Sequence, residues 1–309
     1  MSRRGWVLFA TLSVIWGIPY LLIRIAVRDI SPPTLVFFRT APVGLAFLPF
    51  ALSRDTLIGL RKHWRAVAIY TVGEVGIPWL LLSRAEQRIS SSLAGLLIAT
   101  VPLIAVLFSR LSRHEGPLGW PRLTGLGLGF AGVGVIVGVG VHGPDLFAVG
   151  EIAIVAIGYA LSPFVVSEYL SDVPAIAVVA ASFVLTALAY SPVALTHLPK
   201  HLSPEEVASV LTLIVVCTGL AFLIYFALIA EVGPARATVI TYLNPAVAVV
   251  LGIAILHEHF SAGLAIGFPL VLLGSFLGTG GIRRPASKGA PEIVSAMPTN
   301  VEPSSARER

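Results

Sequence analysis

Ten long runs of apolar residues, separated by short polar segments, dominate the hydrophobic pattern of this chain. Each run has about 18 to 24 residues, the length that an α-helix needs to cross a lipid bilayer. The apolar residues are continuous rather than alternating, so the pattern predicts helices and not the strands of a membrane barrel. The predicted spans are residues 6–23, 33–52, 66–83, 91–109, 123–141, 147–167, 174–195, 207–230, 235–256 and 261–280. The sequence therefore predicts an all-α integral membrane protein with ten transmembrane helices.

Landmark residues of the first half recur in the second half at a nearly constant distance. Pro102 is followed thirteen residues later by Glu115, and Pro245 is followed thirteen residues later by Glu258. The two prolines are 143 residues apart, and a histidine precedes each glutamate. The chain therefore contains two similar halves, an arrangement typical of transporters that build a substrate site between repeats.

Each half contains five predicted spans. Because five is odd, the second half enters the membrane in the opposite direction to the first, and the halves form an inverted repeat. We therefore predict two inverted five-helix repeats, residues 1–141 and residues 142–282. Residues 283–309 are rich in Pro, Ser, Ala and charge and poor in apolar residues, which predicts a disordered cytoplasmic tail.

The composition supports the same class of protein. Of the 309 residues, 56% are hydrophobic and only 12% are charged, whereas soluble domains have roughly 25% charged residues. A water-soluble protein would have too few polar groups to cover its surface. The single cysteine, Cys217, lies in an apolar run and is expected to act as a small apolar filler.

The net charge of +5 is explained by the membrane and not by nucleic acid. If the N-terminus is cytoplasmic, the loops on its side have ten Lys and Arg residues without the tail, and the loops on the other side have five. Lys and Arg collect in cytoplasmic loops. We therefore predict a multi-pass protein of the cell (inner or plasma) membrane with both termini in the cytoplasm, and no nucleic-acid partner.

These landmarks resemble the EamA-like family of the drug/metabolite transporter superfamily over residues 6–280. In the first half the resemblance is carried by Trp16-Gly17, Ser31-Pro32-Pro33, Arg39, the Pro102 to Glu115 block, Gly125 and Gly132. In the second half it is carried by Tyr242-Leu243-Asn244-Pro245, Glu258, Gly267 and Gly274. The resemblance implies ten helices around a central cavity and transport of small organic solutes, with export favoured over import.

Glu74 lies inside the third predicted span, about 12 Å from its inner end at 1.5 Å per residue. An ionisable group near the bilayer centre is costly unless it faces protein or water, and such groups are functional by default. We therefore predict that Glu74 binds the substrate or a coupling proton. The alternative is a structural ion pair.

Arg39 lies in the second span, about 9 Å below the outer surface and within a few ångströms of Glu74 in depth. The first hypothesis is an ion pair with Glu74, which would neutralise both groups. The second is that Arg39 binds an anionic group of the substrate through two parallel hydrogen bonds. The third is that the long side chain extends to the membrane surface.

Five aromatic residues within the spans are candidates for binding an amphipathic solute, because Tyr and Trp combine an apolar body with a hydrogen-bonding tip. They are Trp16, Tyr20, Trp79, Tyr225 and Tyr242. Trp16 is the first candidate, since Gly17 and Pro19 beside it allow irregular backbone. The alternative for each residue is ordinary packing.

Four prolines inside the predicted helices each free a backbone carbonyl four residues earlier, so we predict hinges or kinks there. They are Pro19, Pro78, Pro102 and Pro245. Since Pro102 and Pro245 are equivalent in the two halves, we expect symmetric kinks near the cavity. Asn244 either satisfies the loosened backbone, which we favour, or contacts the substrate.

The fifth and tenth spans have glycines at i and i+4, which allow close helix contact in lipid. The pairs are Gly125/Gly129, Gly134/Gly138, Gly263/Gly267 and Gly274/Gly278. Packing within the chain is the favoured interpretation, and a homodimer through these faces is the alternative.

No catalytic triad, nucleotide loop or dinucleotide fingerprint occurs in the sequence, so an enzyme is not expected and no cofactor is predicted. His257-Glu258-His259 lacks the i, i+4 spacing of a helical metal site, so no metal is predicted, and Glu115 and Glu258 are expected to fix loops between helices. We predict a secondary transporter that moves a small metabolite or drug by alternating access, in the export direction and with proton coupling through Glu74. The alternatives are an uncoupled facilitator or exchanger and, from another class, a membrane receptor or scaffold without transport.

Overall fold

The computed structural model describes residues 2–111, 119–139, 145–233, 237, 240–259 and 261–279. In these ranges the regular structure is helical and no strand occurs. The apolar helices described are α1 (Arg3–Ala26), α2 (Pro32–Ala51), α3 (Trp64–Ala85), α4 (Ser91–Leu111), α5 (Trp120–Val139), α6 (Leu146–Tyr169), α7 (Ala175–Thr196), α8 (Pro204–Val232), α9 (Ile240–Leu256) and α10 (Ala262–Gly278). Two predictions, the loop role of Glu115 and the tail over residues 283–309, lie outside the described residues.

Within the described residues, α1 to α8 are long and apolar enough to cross a membrane. The helices α9 and α10 are apolar but have 17 residues each, which is the lower limit for a span. Large apolar side chains are exposed on the outside of the bundle, among them Leu45 at 66%, Leu188 at 64% and Val250 at 63%. Water-soluble monomers rarely expose so wide an apolar surface. The chain is therefore an all-helical integral membrane protein, as predicted, whereas the number of ten spans stays a prediction.

Polar residues directly before the helices explain where several of them begin. Side chains of Ser2, Ser90, Asp145 and Ser261 each accept a hydrogen bond from a backbone N–H in the first turn of α1, α4, α6 and α10. The helix α1 begins at Arg3, earlier than predicted, because Ser2 caps it and the two arginines that follow belong to its first turn.

A short polar helix at Arg54–Lys62, between α2 and α3, is absent from the hydrophobic pattern. Ser53 caps its start, Asp55 lies in its first turn, and Arg61 and Lys62 lie in its last turn. This charge distribution complements the helix dipole, and Leu60 packs against buried residues of α2, α3 and α7.

Contacts between helix ends define the two ends of the bundle. At the N-terminal end, Ser2 before α1 hydrogen-bonds Glu231 in α8 at 2.5 Å, and His63 before α3 contacts Asp172 after α6 at 3.0 Å. At the other end, here called the opposite end, the ion pairs Arg88–Asp145 (3.2 Å), Arg84–Glu151 (3.1 Å) and Arg88–Glu151 join α3 and its following loop to the start of α6.

The buried core is arranged differently at the two ends. At the opposite end, one cluster of buried apolar residues joins helices of both halves, including α1, α3, α4, α6, α8 and α9. At the N-terminal end the described residues form two clusters, one from α2, α3, α7 and the loop between α6 and α7, and the other from α1, α8 and α9. The described core is therefore continuous at the opposite end and divided at the N-terminal end.

Glycines bring α5 and α10 into close contact. A Cβ on Gly274 would lie 2.5 Å from the Cα of Gly129 and 2.6 Å from the carbonyl oxygen of Gly125. A Cβ on Gly134 or Gly138 would meet no atom within 4 Å. The first glycine pair of α5 and the last pair of α10 therefore serve packing within the chain, as favoured from the sequence, and a homodimer stays a prediction.

Candidate functional site

The helix α3 is irregular where it carries its carboxylate. Residues Thr71–Gly76 wind as a π-helix, and Pro78 directly afterwards has no N–H to donate to the carbonyl of Glu74. The helix α6 passes against this segment, because a Cβ on Gly158 would overlap the carbonyl oxygen of Gly73. Turns of π-helix occur often at functional sites. Here the turn carries the half-exposed Glu74 at the middle of a span.

Side chains with hydroxyl groups on three helices lie in the neighbourhood of the Glu74 carboxyl. Ser162 on α6 interacts with it through its side chain. Tyr70 on α3, Tyr159 on α6 and Tyr225 on α8 lie close enough for the charge of Glu74 to act on their hydroxyls. A half-exposed carboxyl in such surroundings can bind a proton or a donor group of a solute.

Arg39 lies buried on α2 and is only 5% exposed. Its Cζ lies 3.8 Å from the centroid of the Trp79 ring, a cation–π contact. No ion pair in the described ranges joins Arg39 to Glu74. The pairing preferred from depth alone is therefore not formed in this structure, because Arg39 stacks on Trp79 and Glu74 interacts with Ser162. The buried side chain of Arg39 does not extend to the surface either.

The Arg39 guanidinium retains a hydrogen-bond donor that is not used within the described part of the chain. Its Nε finds no hydrogen-bond partner among the described residues. Since a guanidinium has five N–H donors in a fixed fork, a buried guanidinium of this kind can bind an anionic group with two parallel bonds.

A continuous aromatic strip, defined by Trp16, Tyr225, Phe222, Phe183 and Trp79, crosses the middle of the bundle. The centroid of the Trp16 ring lies 4.9 Å from that of Tyr225 and 5.8 Å from that of Phe222. Phe183 lies 5.4 Å from Phe222 and 5.6 Å from Trp79, between centroids. The strip therefore reaches from α1 to the side of Arg39. It brings together the predicted residues Trp16, Tyr225 and Trp79.

The other two predicted aromatics make different contacts. Tyr20 is buried near Glu86, and its ring lies against the position of Gly95 on α4. The Tyr242 hydroxyl lies 2.9 Å from Oγ1 of Thr279 and joins the start of α9 to the end of α10. None of the ring contacts in the described part of the chain includes Tyr242.

Asn244 joins α9 to α1. In the orientation that satisfies its hydrogen bonds, its amide nitrogen donates to the carbonyl oxygens of Ile240 (2.9 Å) and Ser13 (3.0 Å). Gly17 permits the close approach, since a Cβ there would lie 2.9 Å from the Asn244 carbonyl oxygen. Both acceptors are backbone carbonyls, but neither is the carbonyl of Thr241, which Pro245 frees.

The predicted prolines fall into two groups. Pro78 follows the π-helical segment, and α4 is interrupted between Ile98 and Val101, directly before Pro102. Pro19 and Pro245 lie in helices that continue past them. The interruption before Pro102 therefore has no counterpart at Pro245, where the helix continues from Ile240 to Leu256.

Glu258 caps α4 from the second half of the chain. Its Oε1 accepts hydrogen bonds from the backbone N (2.7 Å) and Oγ (2.9 Å) of Ser91, and its Oε2 accepts from the N (2.9 Å) and Oγ (2.5 Å) of Ser92. A carboxylate at a helix N-terminus is stabilised by the N–H groups and the dipole. Glu258 thus fixes the loop after α9 to the start of α4.

Replacing Glu258 by glutamine should lower the stability of the protein. An amide offers one acceptor atom, so the N–H and hydroxyl of Ser92 lose their partner, at an expected cost of about 2 kcal/mol. The midpoint of thermal unfolding in detergent measures this loss. The control is Glu205→Gln, because Glu205 is 76% exposed and makes only a 3.9 Å ion pair with Arg28. Equal midpoints for the two variants would refute the capping role.

Several residues of the site escaped the sequence analysis. Tyr159 and Ser162 are three residues apart and share one face of α6, a polar pair in an apolar span that could have identified them. Phe183 and Phe222 have no such signal, since aromatics are common in apolar helices. Glu86 follows the end of an apolar run, and the hydrophobic pattern places it in a loop, although it is fully buried.

The sequence model of the EamA-like transporter family matches residues 3–138 and 146–279. The chain is 31% identical over 284 residues to the uncharacterized inner membrane transporter YedA of Escherichia coli K12, covering 87% of this chain and 90% of YedA. It is 23% identical over 291 residues to an uncharacterized transporter of Archaeoglobus fulgidus, covering 90% of this chain and 98% of that relative.

Similarity extends to solved structures. One crystal structure matches with a TM-score of 0.62 over 90% of this chain and 97% of its own, at 21% sequence identity. At this level of identity the match indicates a common fold.

Proposed function

Because this chain belongs to the EamA-like transporter family, we propose that it is a secondary transporter that exports a small organic metabolite or drug by alternating access. The observation that carries the proposal is Glu74, a half-exposed carboxyl on a π-helical turn inside a span. Such a group is costly in a membrane unless it faces protein or water, and groups of this kind mark the pathways of solutes and protons. We therefore assign proton coupling to Glu74 and solute binding to the space between Glu74, Arg39 and the aromatic strip.

Ten spans in two inverted repeats form part of the proposal. The second π-helical segment in the described chain, Leu213–Leu220 in α8, occurs at the position equivalent to Thr71–Gly76 in α3. The equivalent helices α5 and α10 pack against each other, and so do α2 and α7, where a Cβ on Gly44 would lie 3.1 Å from the Val184 nitrogen. Both features support two structurally similar halves.

The unequal packing of the two ends supports alternating access. With both termini in the cytoplasm, the continuous core at the opposite end closes the outer side, and the divided core at the N-terminal end belongs to an inward-facing state. If each half adopted the conformation of the other, the core would become divided at the outer side and continuous at the inner side.

The chemistry of the site favours a solute with an apolar or aromatic body and an anionic group. The aromatic strip offers ring faces for the body, and the unused donors of Arg39 suit a carboxylate or phosphate.

Arg39→Gln should therefore raise the KM for a transported anionic solute about 10- to 100-fold, the equivalent of a lost charge-assisted pair of hydrogen bonds. Arg39→Lys should recover part of the affinity, since it keeps the charge but loses the fork. Concentration dependence of counterflow in proteoliposomes measures both constants. An unchanged KM for Arg39→Gln with every anionic solute would show that Arg39 serves only to pack against Trp79.

The experiment that tests transport itself uses the purified full chain in proteoliposomes with a broad panel of solutes at two pH gradients. We expect at least one amphipathic solute to move faster than in protein-free vesicles, and faster still with an inwardly directed proton gradient. Movement that ignores the gradient would identify a facilitator or exchanger. Binding without movement of any solute would favour a receptor.

A further inference from the structure

Glu86 is the first residue after α3, at the opposite end of the bundle, and its side chain is completely buried, with 0% exposure. Neither of its carboxyl oxygens has a hydrogen-bond partner among the described residues. Buried carboxylates are ordinarily paired or hydrogen-bonded, because an ionised group without partners is far more costly in the interior than a neutral one.

None of the charged and titratable groups near Glu86 forms a hydrogen bond with its carboxyl in the described part of the chain. They are Tyr20 and Arg24 on α1, Arg39 on α2 and Glu258 in the loop after α9. The Arg24 guanidinium donates to the backbone carbonyl of Glu86 and not to its carboxyl. Arg39 stacks on Trp79, and Glu258 accepts four hydrogen bonds from the start of α4. Charged groups therefore lie near the Glu86 carboxyl, but none of those described forms an ion pair with it.

Burial raises the pKa of the Glu86 carboxyl well above its usual range, and the nearby Arg24 opposes this only in part. The neutral, protonated carboxyl is the form that suits the closed interior. When helices separate at this end, the carboxyl meets water and can ionise beside Arg24, within whose reach it already lies.

We propose that Glu86 is a second proton-binding site, separate from Glu74, and that its protonated form holds the opposite end of the bundle closed. The proton passes between a Glu86 carboxyl oxygen and water at the opposite end, and it returns to that same side when the end reopens. Glu86 thus controls opening without contributing to net proton movement. The inference rests on the alternating access of the proposed function.

The direction of the pH effect follows from the two states. Because the pKa of Glu86 is higher in the closed form than in the open form, the closed form is favoured at low pH and loses this advantage as the pH rises. Acidification at the opposite end should therefore close it, and alkalinisation should open it.

A thiol reporter at the opposite end tests this gate. Ile89 is 5% exposed in the closed core, so Ile89→Cys in a Cys217→Ser background reacts with a membrane-impermeant maleimide only when that end opens. The thiolate is the form that reacts with maleimide, so each rate is divided by the rate of a free thiol at the same pH. We expect this normalised labelling rate in proteoliposomes to rise at least several-fold with pH when Glu86 is present. Glu86→Gln, which imitates the protonated carboxyl, should hold the normalised rate low at every pH.

The matched control is Glu205→Gln, the same chemical change at an exposed acid of the same end, which should preserve the pH dependence. Infrared absorption supplies an independent readout. The band of protonated carboxyl groups should be weaker in Glu86→Gln than in wild type, because the variant lacks the carboxyl of Glu86. If Glu86→Gln does not fold, the Ile89→Cys reporter chain with Glu86 in place carries the test, with Glu74→Gln added to remove the carboxyl inside α3. Its protonated carboxyl band must fall over the same pH range in which the normalised labelling rises, and a band that stays constant over that range would overturn the role of Glu86.

Two outcomes separate this inference from the function on which it rests. The same pH dependence of labelling in Glu86→Gln and wild type would overturn the role of Glu86 and leave alternating access standing. Labelling that stays at the closed-state rate at every pH, with every solute and in every variant, would contradict alternating access itself.

Discussion

Replacing Glu74 by glutamine is expected to reduce proton-driven efflux to the rate of protein-free vesicles. Glutamine has almost the same shape as glutamate, so the fold and the contacts with Ser162 should persist. It cannot release and rebind a proton, however, and no other acid is described among the neighbouring hydroxyl-bearing side chains of α3, α6 and α8. Efflux of a transported solute at two pH gradients measures the effect.

Glu205→Gln serves as the control for this change, since Glu205 is exposed at the end of the bundle and its variant should transport like wild type. Solute exchange at equal pH should survive in Glu74→Gln if Glu74 carries only the proton, and should also be lost if Glu74 binds the solute. Wild-type efflux with wild-type pH dependence in Glu74→Gln would remove Glu74 from the mechanism.

Gly274→Ala is expected to cause the largest loss of stability. The new Cβ would lie 2.5 Å from the Cα of Gly129 and 2.6 Å from the carbonyl oxygen of Gly125. Both are backbone atoms, which cannot rotate away, so α5 and α10 must separate and lose contact along their length. Overpacking of this kind costs about 3 kcal/mol or more. Thermal unfolding in detergent, followed by the fraction of monodisperse protein, measures the loss.

The chain provides a matched control, a glycine in the i, i+4 pair of α5 that makes no close contact within the chain. A Cβ on Gly134 meets no atom within 4 Å, so Gly134→Ala should change the stability by less than about 0.5 kcal/mol. Equal melting of the two variants would mean that the close approach of α5 and α10 contributes nothing to stability. A specific loss of self-association in Gly134→Ala would instead support the predicted homodimer.

The apolar runs predicted the helices because a membrane requires each crossing segment to satisfy its own backbone. The apolar runs also identified Glu74 and Arg39 as candidate site residues, because ionisable residues are rare inside such runs. The relation between these two residues was not predictable from depth: the pairing hypothesis ignored the directions in which α2 and α3 present their side chains. The stacking of Arg39 on Trp79 depends on those directions.

The π-helical turn that contains Glu74 and the burial of Glu86 depend on contacts between parts of the chain that are distant in sequence. The turn lies where α6 touches α3 at Gly158, and Glu86 is covered by α1 and the loop after α9. Likewise Tyr225 and Tyr242 look equivalent in an apolar sequence, and only the packing of α8 against α1 separates them. Such features depend on tertiary packing, which a local hydrophobic pattern does not encode.

The central claim is that one site beside Glu74 opens in turn to the two sides of the membrane. It is tested most directly by Tyr225→Cys in a Cys217→Ser background, because Tyr225 is partly exposed, contacts Trp16 and lies in the neighbourhood of Glu74. In oriented proteoliposomes, a membrane-impermeant thiol reagent should react from either side, and conditions that increase reaction from one side should decrease it from the other. Reaction from one side alone under every pH and solute gradient, or parallel changes on both sides, would contradict the account.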